Sequence, residues 1–110
     1  MQYSIILIRV PFIEDPTKSK VRPAIYLADS SITHNTIIAT FVTSNILDFE
    51  VGDIIIENFK DYNLGFPSLI KVSKIFTIPK EDMKLEIFRI PKSSELEKKI
   101  KERLMNIFDL

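Results

Sequence analysis

Residues 20–27 read KVRPAIYL, which joins two cations and a proline to an apolar run. The apolar part, residues 24–27, is compatible with a buried β-strand. Proline has no amide hydrogen to give to a sheet, so Pro23 belongs at the beginning or at an edge of that strand. It also restricts Arg22 to an extended backbone. The stretch therefore predicts a core strand that begins with an arginine at the rim of a sheet.

Other apolar segments follow the same pattern of a short strand bounded by turn residues. We predict strands at residues 4–12, 24–28, 36–42 and 54–56, a long bent or bulged strand at 67–78, and a short strand at 85–90. The segment 36–42 is apolar throughout, which predicts a central strand. Several short strands at this spacing are typical of a barrel or a sandwich. We therefore predict a mainly β protein.

The C-terminal segment has a different pattern. Residues 94–97 (SELE) match the capping box, in which a serine hydroxyl and a glutamate each satisfy a free backbone N–H at the start of a helix. The apolar residues that follow at helical spacing are Leu96, Ile100, Leu104, Ile107 and Phe108. We predict a C-terminal amphipathic helix packed on the sheet, within a single domain that spans residues 1–110.

Composition limits the chemistry that the protein can perform. The 110 residues are 45% hydrophobic and 27% charged, with a formal net charge of zero and no cysteine. The missing cysteines exclude disulfides and zinc–thiolate sites. No apolar run approaches the roughly 18 residues needed to cross a membrane. We therefore predict a cytoplasmic protein with no membrane segment, no metal and no cofactor.

One close group of carboxylates, formed by Asp48, Glu50 and Asp53, lies between predicted strands. Converging carboxylates can bind magnesium, but a solvated loop is the favoured interpretation here. His34 is the only histidine and lies in a segment rich in turn-forming residues. We interpret it as an exposed loop residue.

Cationic side chains precede residues 24–28 at alternate positions. In an extended chain, residues two apart share a face at a spacing of about 6.6 Å. Lys18, Lys20 and Arg22 would then form a row that can follow consecutive phosphates of a single strand. The alternative is a solvated loop whose cations balance Glu14 and Asp15. For Arg22, whose paired donors suit phosphate oxygens, an ion pair at a strand edge is an equally compatible interpretation.

Small polar residues follow the apolar segment 36–42. Thr43, Ser44 and Asn45 place hydroxyl and amide groups where a core strand reaches the surface. Such groups bind phosphate in some proteins and form turns in others. From the segment alone, a turn is the favoured interpretation.

At these positions the sequence resembles the MazF/PemK toxins of type II toxin–antitoxin systems. Residues 3–27 are similar to the family's opening, which reads roughly VPFPFTDLSGSKLRPALVL. Residues 41–45 (FVTSN) are similar to an apolar strand that ends in ITSQ, and residues 64–78 to the block GLxKPSVVRLDKLFTL. The likeness covers nearly the whole chain. It implies a small SH3-like β-barrel of the CcdB/MazF type with a C-terminal helix.

The resemblance also implies a function. Family members are metal-independent, sequence-selective endoribonucleases and homodimers, and a cognate antitoxin inhibits them. The 2′-hydroxyl of the neighbouring ribose attacks the phosphate of single-stranded RNA and leaves a cyclic phosphate and a free 5′-hydroxyl. Arg22 matches the catalytic arginine, and Thr43 matches the catalytic or phosphate-binding threonine. The residues that we predict to bind RNA are Lys18, Lys20, Ser44, Asn45 and Lys71.

Several positions depart from the family pattern, among them Lys18, Phe88 and two that concern catalysis. PemK-type members have an arginine and an aspartate as acid and base where this sequence has Lys71 and Ser73, so the resemblance does not identify a general base. Two alternative functions follow. A CcdB-like toxin would bind DNA gyrase through the helix end at residues 106–110, and a member that has lost catalysis would bind only antitoxin or RNA.

Overall fold

The computed structural model describes residues 2–11, 14–31 and 35–110, which form six β-strands and one α-helix. In chain order these are β1 (Ser4–Pro11), β2 (Ser19–Ser31), β3 (Thr36–Thr43), β4 (Ile54–Ile56), β5 (Ser68–Pro79), β6 (Met83–Arg89) and α1 (Glu95–Phe108). Each predicted strand and the predicted helix are confirmed, with β2 longer than expected. The predicted end of the first strand at Phe12 and the predicted loop position of His34 lie outside the described residues.

The strands form one antiparallel sheet in the order β4-β5-β3-β2-β1-β6. The sheet curls into a half-barrel, and the predicted mainly β architecture with a C-terminal helix is confirmed. β3 pairs with β2 on one side and with β5 on the other. The prediction that this apolar segment is central is therefore also confirmed.

β5 contains the bulge that its broken alternation predicted. Thr40 of β3 lies opposite Ile75, whereas the next residue, Phe41, lies opposite Lys71. Residues 72–74 therefore have no partner on β3. Extra residues in one strand bend it and redirect its side chains, so Lys71 and Lys74 can face the same part of the surface.

Both faces of the sheet are apolar near its centre. Successive strand residues point to opposite faces, and β2 contributes Ile25 to one buried cluster and Ala24 and Tyr26 to the other. The helix covers the first cluster through Leu96 and Ile100. We call the face with Ala24 and Tyr26 the outer face. Apolar residues on both faces explain why the strands read as continuous apolar runs in the sequence.

The N-cap at the start of α1 is present, but the glutamate bond of the predicted capping box reaches Ser93, one residue before the N-cap Ser94. The Ser94 hydroxyl accepts a hydrogen bond from the Glu97 N–H at 3.3 Å, and a Glu97 carboxylate oxygen accepts one from the Ser93 N–H at 3.2 Å. Leu96 and Ile100 are buried, but Ile107 and Phe108 are exposed. The expectation that the whole apolar stripe packs on the sheet is therefore wrong for the last turn. Within the part of the chain that the structure describes, no helix has the length and apolar character needed to cross a membrane.

Replacing Ser94 with alanine is expected to lower the free energy of unfolding by about 1 kcal/mol, since it removes the N-cap acceptor. Urea denaturation followed by circular dichroism measures the change. Ser94→Asp is the matched control, because aspartate is an equally good N-cap residue. Equal stability of the alanine variant and the wild type would show that the cap contributes nothing.

Candidate functional site

A surface pocket of about 360 Å³ lies where β2 begins and β3 ends. We call it the cationic pocket. It brings together four of the residues predicted for the site, which are Lys20, Arg22, Thr43 and Lys71. The other lining residues are Val10, Pro11, Phe41, Val42, Asp48 and Lys74.

The strand register explains why these residues meet. Ala24 of β2 lies opposite Phe41 of β3, and Arg22 and Thr43 are each two residues farther along their strands. Residues two apart share a face, so both side chains continue the outer face. Phe41 stacks on Phe76, with ring centroids 4.1 Å apart. The cationic pocket is therefore the polar end of a face that is otherwise apolar.

Pro23 occupies the kind of strand position that its chemistry requires. β2 pairs with β3 only from Ala24 onward, so at Pro23 the strand has β1 as its one neighbour. A proline is tolerated there because the other side needs no amide donor. The pairing of β2 with β3 ends at Ala24, two residues from Arg22, and the pocket lies where the two strands separate.

The Arg22 side chain is exposed at the pocket. Among residues 2–11, 14–31 and 35–110, no ion pair or side-chain hydrogen bond involves its guanidinium. Within the described residues, the alternative of a structural ion pair at the strand edge is not observed. An exposed guanidinium whose donors are open to solvent is available to an anionic ligand.

The segment after β3 positions the Thr43 hydroxyl. The Asn45 N–H donates a hydrogen bond to Thr43 Oγ1 at 3.1 Å, and the Asn45 carbonyl accepts one from the Asp48 N–H, also at 3.1 Å. Because a hydroxyl can accept and donate at once, Thr43 keeps its own hydrogen for a ligand. Ser44 lies outside the cationic pocket and lines a neighbouring one. Asn45 contributes its backbone here rather than its side chain.

The cation row predicted before β2 is only partly brought together. Lys20 and Arg22 line the cationic pocket, whereas Lys18 is exposed outside it. The Lys18 N–H donates to the Asp15 carbonyl at 3.0 Å, within a turn. The turn removes Lys18 from the extended row that the sequence pattern suggested.

Lys71 is almost completely buried, with 3% of its surface exposed. Its ammonium donates to the Asp48 carbonyl at 2.8 Å, to Glu50 Oε1 at 2.9 Å and to Asp53 Oδ2 at 2.5 Å. An ammonium has three hydrogens, so these bonds use all of them. The role of Lys71 in RNA binding stays a prediction, and in this structure Lys71 anchors the segment 48–53 beside the pocket.

Asp48 and Glu50 are exposed, as in the solvated loop that the sequence suggested, whereas Asp53 is not. Asp53 is buried, and Asp53 and Glu50 converge on the Lys71 ammonium. Burial acts to lower the pKa of Lys71, but the hydrogen bonds and charges of Asp53 and Glu50 outweigh it and raise that pKa. The hydrogen bond and charge of Lys71 in turn hold the pKa of Glu50 below its usual value. Within the described ranges, no group of three ligand side chains suits a metal ion.

Two charged pocket residues were absent from the predicted site. The Asp48 carboxylate lies 3.8 Å from the Lys71 ammonium and is largely exposed, and Lys74 comes from the bulge of β5. The sequence predicted the bulge, yet its alternation cannot say which extra residue faces the pocket. Asp48 was visible only as a loop carboxylate, since nothing local shows where that loop is anchored.

The fold matches that of a known toxin. It is similar to the Mycobacterium tuberculosis toxin MazF-mt6, with a TM-score of 0.66 and 18% sequence identity over 97% of each chain. At this level of identity the likeness concerns the fold, and it confirms the predicted barrel of the MazF type. The molecule is therefore a barrel of the MazF type with a cationic pocket at one end of its sheet. No curated protein sequence matches the chain significantly.

A comparison of nearly the whole sequence with known families identifies the family of the chain. Residues 1–108 match the family described as PemK-like, MazF-like toxin of type II toxin–antitoxin system. The chain belongs to this family, as the resemblance of its motifs predicted.

Proposed function

We propose that this toxin is a metal-independent endoribonuclease that cleaves single-stranded RNA at the cationic pocket. One observation carries the proposal: the exposed Arg22 guanidinium, open to a ligand, lies beside the Thr43 hydroxyl. Phosphoryl chemistry builds negative charge on the phosphate oxygens, and prearranged donors that meet this charge lower the barrier. Membership of a toxin–antitoxin family supports RNA as the substrate and an antitoxin as the inhibitor.

The pocket residues divide into two groups. Arg22 would hold two oxygens of the scissile phosphate, and Thr43 would donate its hydroxyl hydrogen to a non-bridging oxygen. Lys20 and Lys74 add positive charge around the same pocket, which attracts the neighbouring phosphates of the strand. The remaining predicted RNA-binding residues, Lys18, Ser44 and Asn45, stay proposals for contacts outside the pocket.

Asp48 is the carboxylate that best fits the unassigned general base. It lines the cationic pocket, and Lys71 binds its backbone carbonyl at 2.8 Å while its carboxylate stays exposed. In the proposed step the ribose 2′-oxygen bonds to phosphorus as the bond to the 5′-oxygen breaks. Asp48 takes the 2′-hydroxyl proton, and water returns a proton to the 5′-oxygen. The products are a 2′,3′-cyclic phosphate and a free 5′-hydroxyl.

Incubation with single-stranded RNA of mixed sequence in EDTA tests the proposal. The expected result is cleavage to fragments with cyclic phosphate and 5′-hydroxyl ends, and no cleavage of DNA of the same sequence. Asp48→Asn is expected to slow cleavage by about 10²- to 10⁴-fold, whereas the exposed Glu57→Gln should cleave normally. Intact RNA after incubation with the wild type contradicts the proposal. Normal cleavage by Asp48→Asn would remove Asp48 alone from the mechanism.

The exposed end of α1 favours a second candidate function. Ile107, Phe108 and Leu110 present apolar surface to solvent, which commonly marks a protein-binding site. In a CcdB-like toxin this end would bind DNA gyrase. Co-purification with gyrase that is lost when residues 106–110 are removed, together with uncut RNA, would support this function. A member that binds RNA or antitoxin without catalysis would instead bind RNA and leave it intact.

The resemblance supports three further proposals. We expect a homodimer, a cytoplasmic location and a single domain over residues 1–110. Sedimentation of the purified protein tests the first of these directly.

A further inference from the structure

A second pocket, of about 330 Å³, adjoins the cationic pocket. We call it the side pocket. Arg22 and Val42 line both pockets, so the Arg22 side chain lies at their boundary. The apolar wall of the side pocket includes Leu7, Val21 and Ile87. A ligand group held by Arg22 therefore has an apolar recess directly beside it.

An aromatic ring is exposed at the side pocket. Phe66 has 69% of its surface exposed, although it lines the recess. Its backbone is fixed, because the hydroxyl of the buried Ser68 donates to the Phe66 carbonyl at 2.8 Å. A ring left in water on a restrained backbone offers a flat apolar surface on which a planar group can stack.

A polar amide is held at the same recess. Asn63 Nδ2 donates to the Ile87 carbonyl at 2.7 Å, which fixes the orientation of the amide. Its Oδ1 and its second N–H remain for a ligand. Asn63 has a left-handed backbone with φ of 58°, a conformation that asparagine tolerates well. The recess thus combines a stacking surface with a fixed acceptor and donor, the pair of features that bind a nucleobase.

Resting on the proposed function, we infer that the side pocket binds one nucleobase next to the scissile phosphate, stacked on Phe66 and hydrogen-bonded by Asn63. The boundary position of Arg22 supports this ligand, because in a single strand each phosphate is joined to a nucleoside that can reach the adjoining recess. Stacking holds any base, and the fixed amide of Asn63 distinguishes base edges. The side pocket would then contribute to the cleavage sequence.

Binding of 2′-O-methyl RNA tests the site apart from catalysis, since this RNA has no nucleophile. Phe66→Ala is expected to weaken binding of a mixed-sequence oligonucleotide by about 10- to 100-fold, the effect of losing one stacked base. Leu85→Ala removes an exposed apolar side chain that lies outside both pockets and should bind RNA normally. A 2-aminopurine base in the oligonucleotide should lose fluorescence on binding to the wild type and keep it with Phe66→Ala.

The cleavage pattern provides the second readout. Asn63→Gly, which keeps the left-handed backbone, is expected to relax the base preference at one position beside the cut. Unchanged RNA affinity and cleavage pattern in Phe66→Ala would overturn the inference while cleavage by the wild type upholds the proposed function. A wild type that binds the oligonucleotide through Phe66 but cleaves no RNA would uphold the side pocket as a base-binding site and overturn the proposed function. If Phe66→Ala loses affinity for a cognate antitoxin and not for RNA, the recess binds protein and the inference fails.

Discussion

Arg22→Ala is expected to lower the rate of RNA cleavage by about 10³-fold, near the upper end of losses measured for single transition-state donors. The guanidinium lines both pockets and makes no ion pair within the described part of the chain. Its donors are thus available to the phosphate. Arg22→Lys should restore only a small part of the rate, because an ammonium cannot form the same paired hydrogen bonds. Single-turnover cleavage of a defined RNA measures both variants.

The fold should be unaffected by this substitution. Arg22 is exposed, and surface substitutions usually change the free energy of unfolding by no more than about 0.5 kcal/mol. Arg9→Ala is the matched control, because Arg9 is an exposed arginine on the neighbouring strand β1 and lies outside both pockets. Equal loss of activity in the two variants would show that general positive charge, and not the position of Arg22, supports cleavage.

Lys71→Met is expected to cause the largest loss of stability of any change considered. It leaves the buried Asp53 carboxylate without its partner at 2.5 Å, and breaking a buried ion pair on one side costs about 3–5 kcal/mol. For a domain of this size each kcal/mol lowers Tm by roughly 4–8 °C. Thermal unfolding and urea denaturation measure the loss. Lys74→Met, on the same strand and exposed, should change stability little.

A second substitution separates charge from packing. Asp53 Oδ2 also accepts a hydrogen bond from the Glu50 N–H at 2.9 Å. Asp53→Asn keeps an oxygen for this bond and removes the charge. Lys71→Met combined with Asp53→Asn should therefore be more stable than Lys71→Met alone. If the losses in free energy of unfolding of Lys71→Met and Asp53→Asn simply add in the double variant, the unpaired carboxylate is not the cause of the instability.

The pH dependence of stability follows from the same cluster. Glu50 has a lowered pKa in the folded state, so its contribution is present above its unfolded value of about 4.3 and is lost as the pH falls. Lys71 has a raised pKa, so its contribution is present below about 10.4 and is lost as the pH rises through the folded value. Urea denaturation should give a free energy of unfolding that is nearly constant between these two pH values. Lys71→Met should reduce the acid-side slope, since Glu50 then loses the partner that lowers its pKa.

The strands could be predicted because their signals are local. Apolar runs, alternation and the proline of KVRPAIYL each depend on a few neighbouring residues, and the broken rhythm of β5 predicted its bulge. The helix start was equally readable from SELE. Its end was not, because the exposure of Ile107 and Phe108 depends on where the sheet stops supporting the helix. The helical periodicity of the sequence does not show where contact with the sheet ends.

The candidate site was predictable only in part for a similar reason. Arg22 and Thr43 stood out through the motifs around them, and their shared pocket fits that prediction. The meeting of Lys71 with Asp53 joins residues 18 positions apart across a loop, and no local pattern indicates it. Asp48 and Lys74 reach the pocket through that loop and through the bulge. Their positions depend on tertiary structure, which a reading of single segments does not contain.

Pro23 has a consequence for ligand binding that concerns entropy. A proline restricts the residue before it in the unfolded chain as well as in the folded one. The backbone freedom of Arg22 is thus reduced before any RNA arrives, and the β1 ladder fixes what remains. Only the rotamers of the side chain are left to be ordered by a phosphate, at a cost of about 0.5–1.5 kcal/mol. Pro23, which has no amide hydrogen to donate to the sheet, thereby gives the cationic pocket a preorganised arginine.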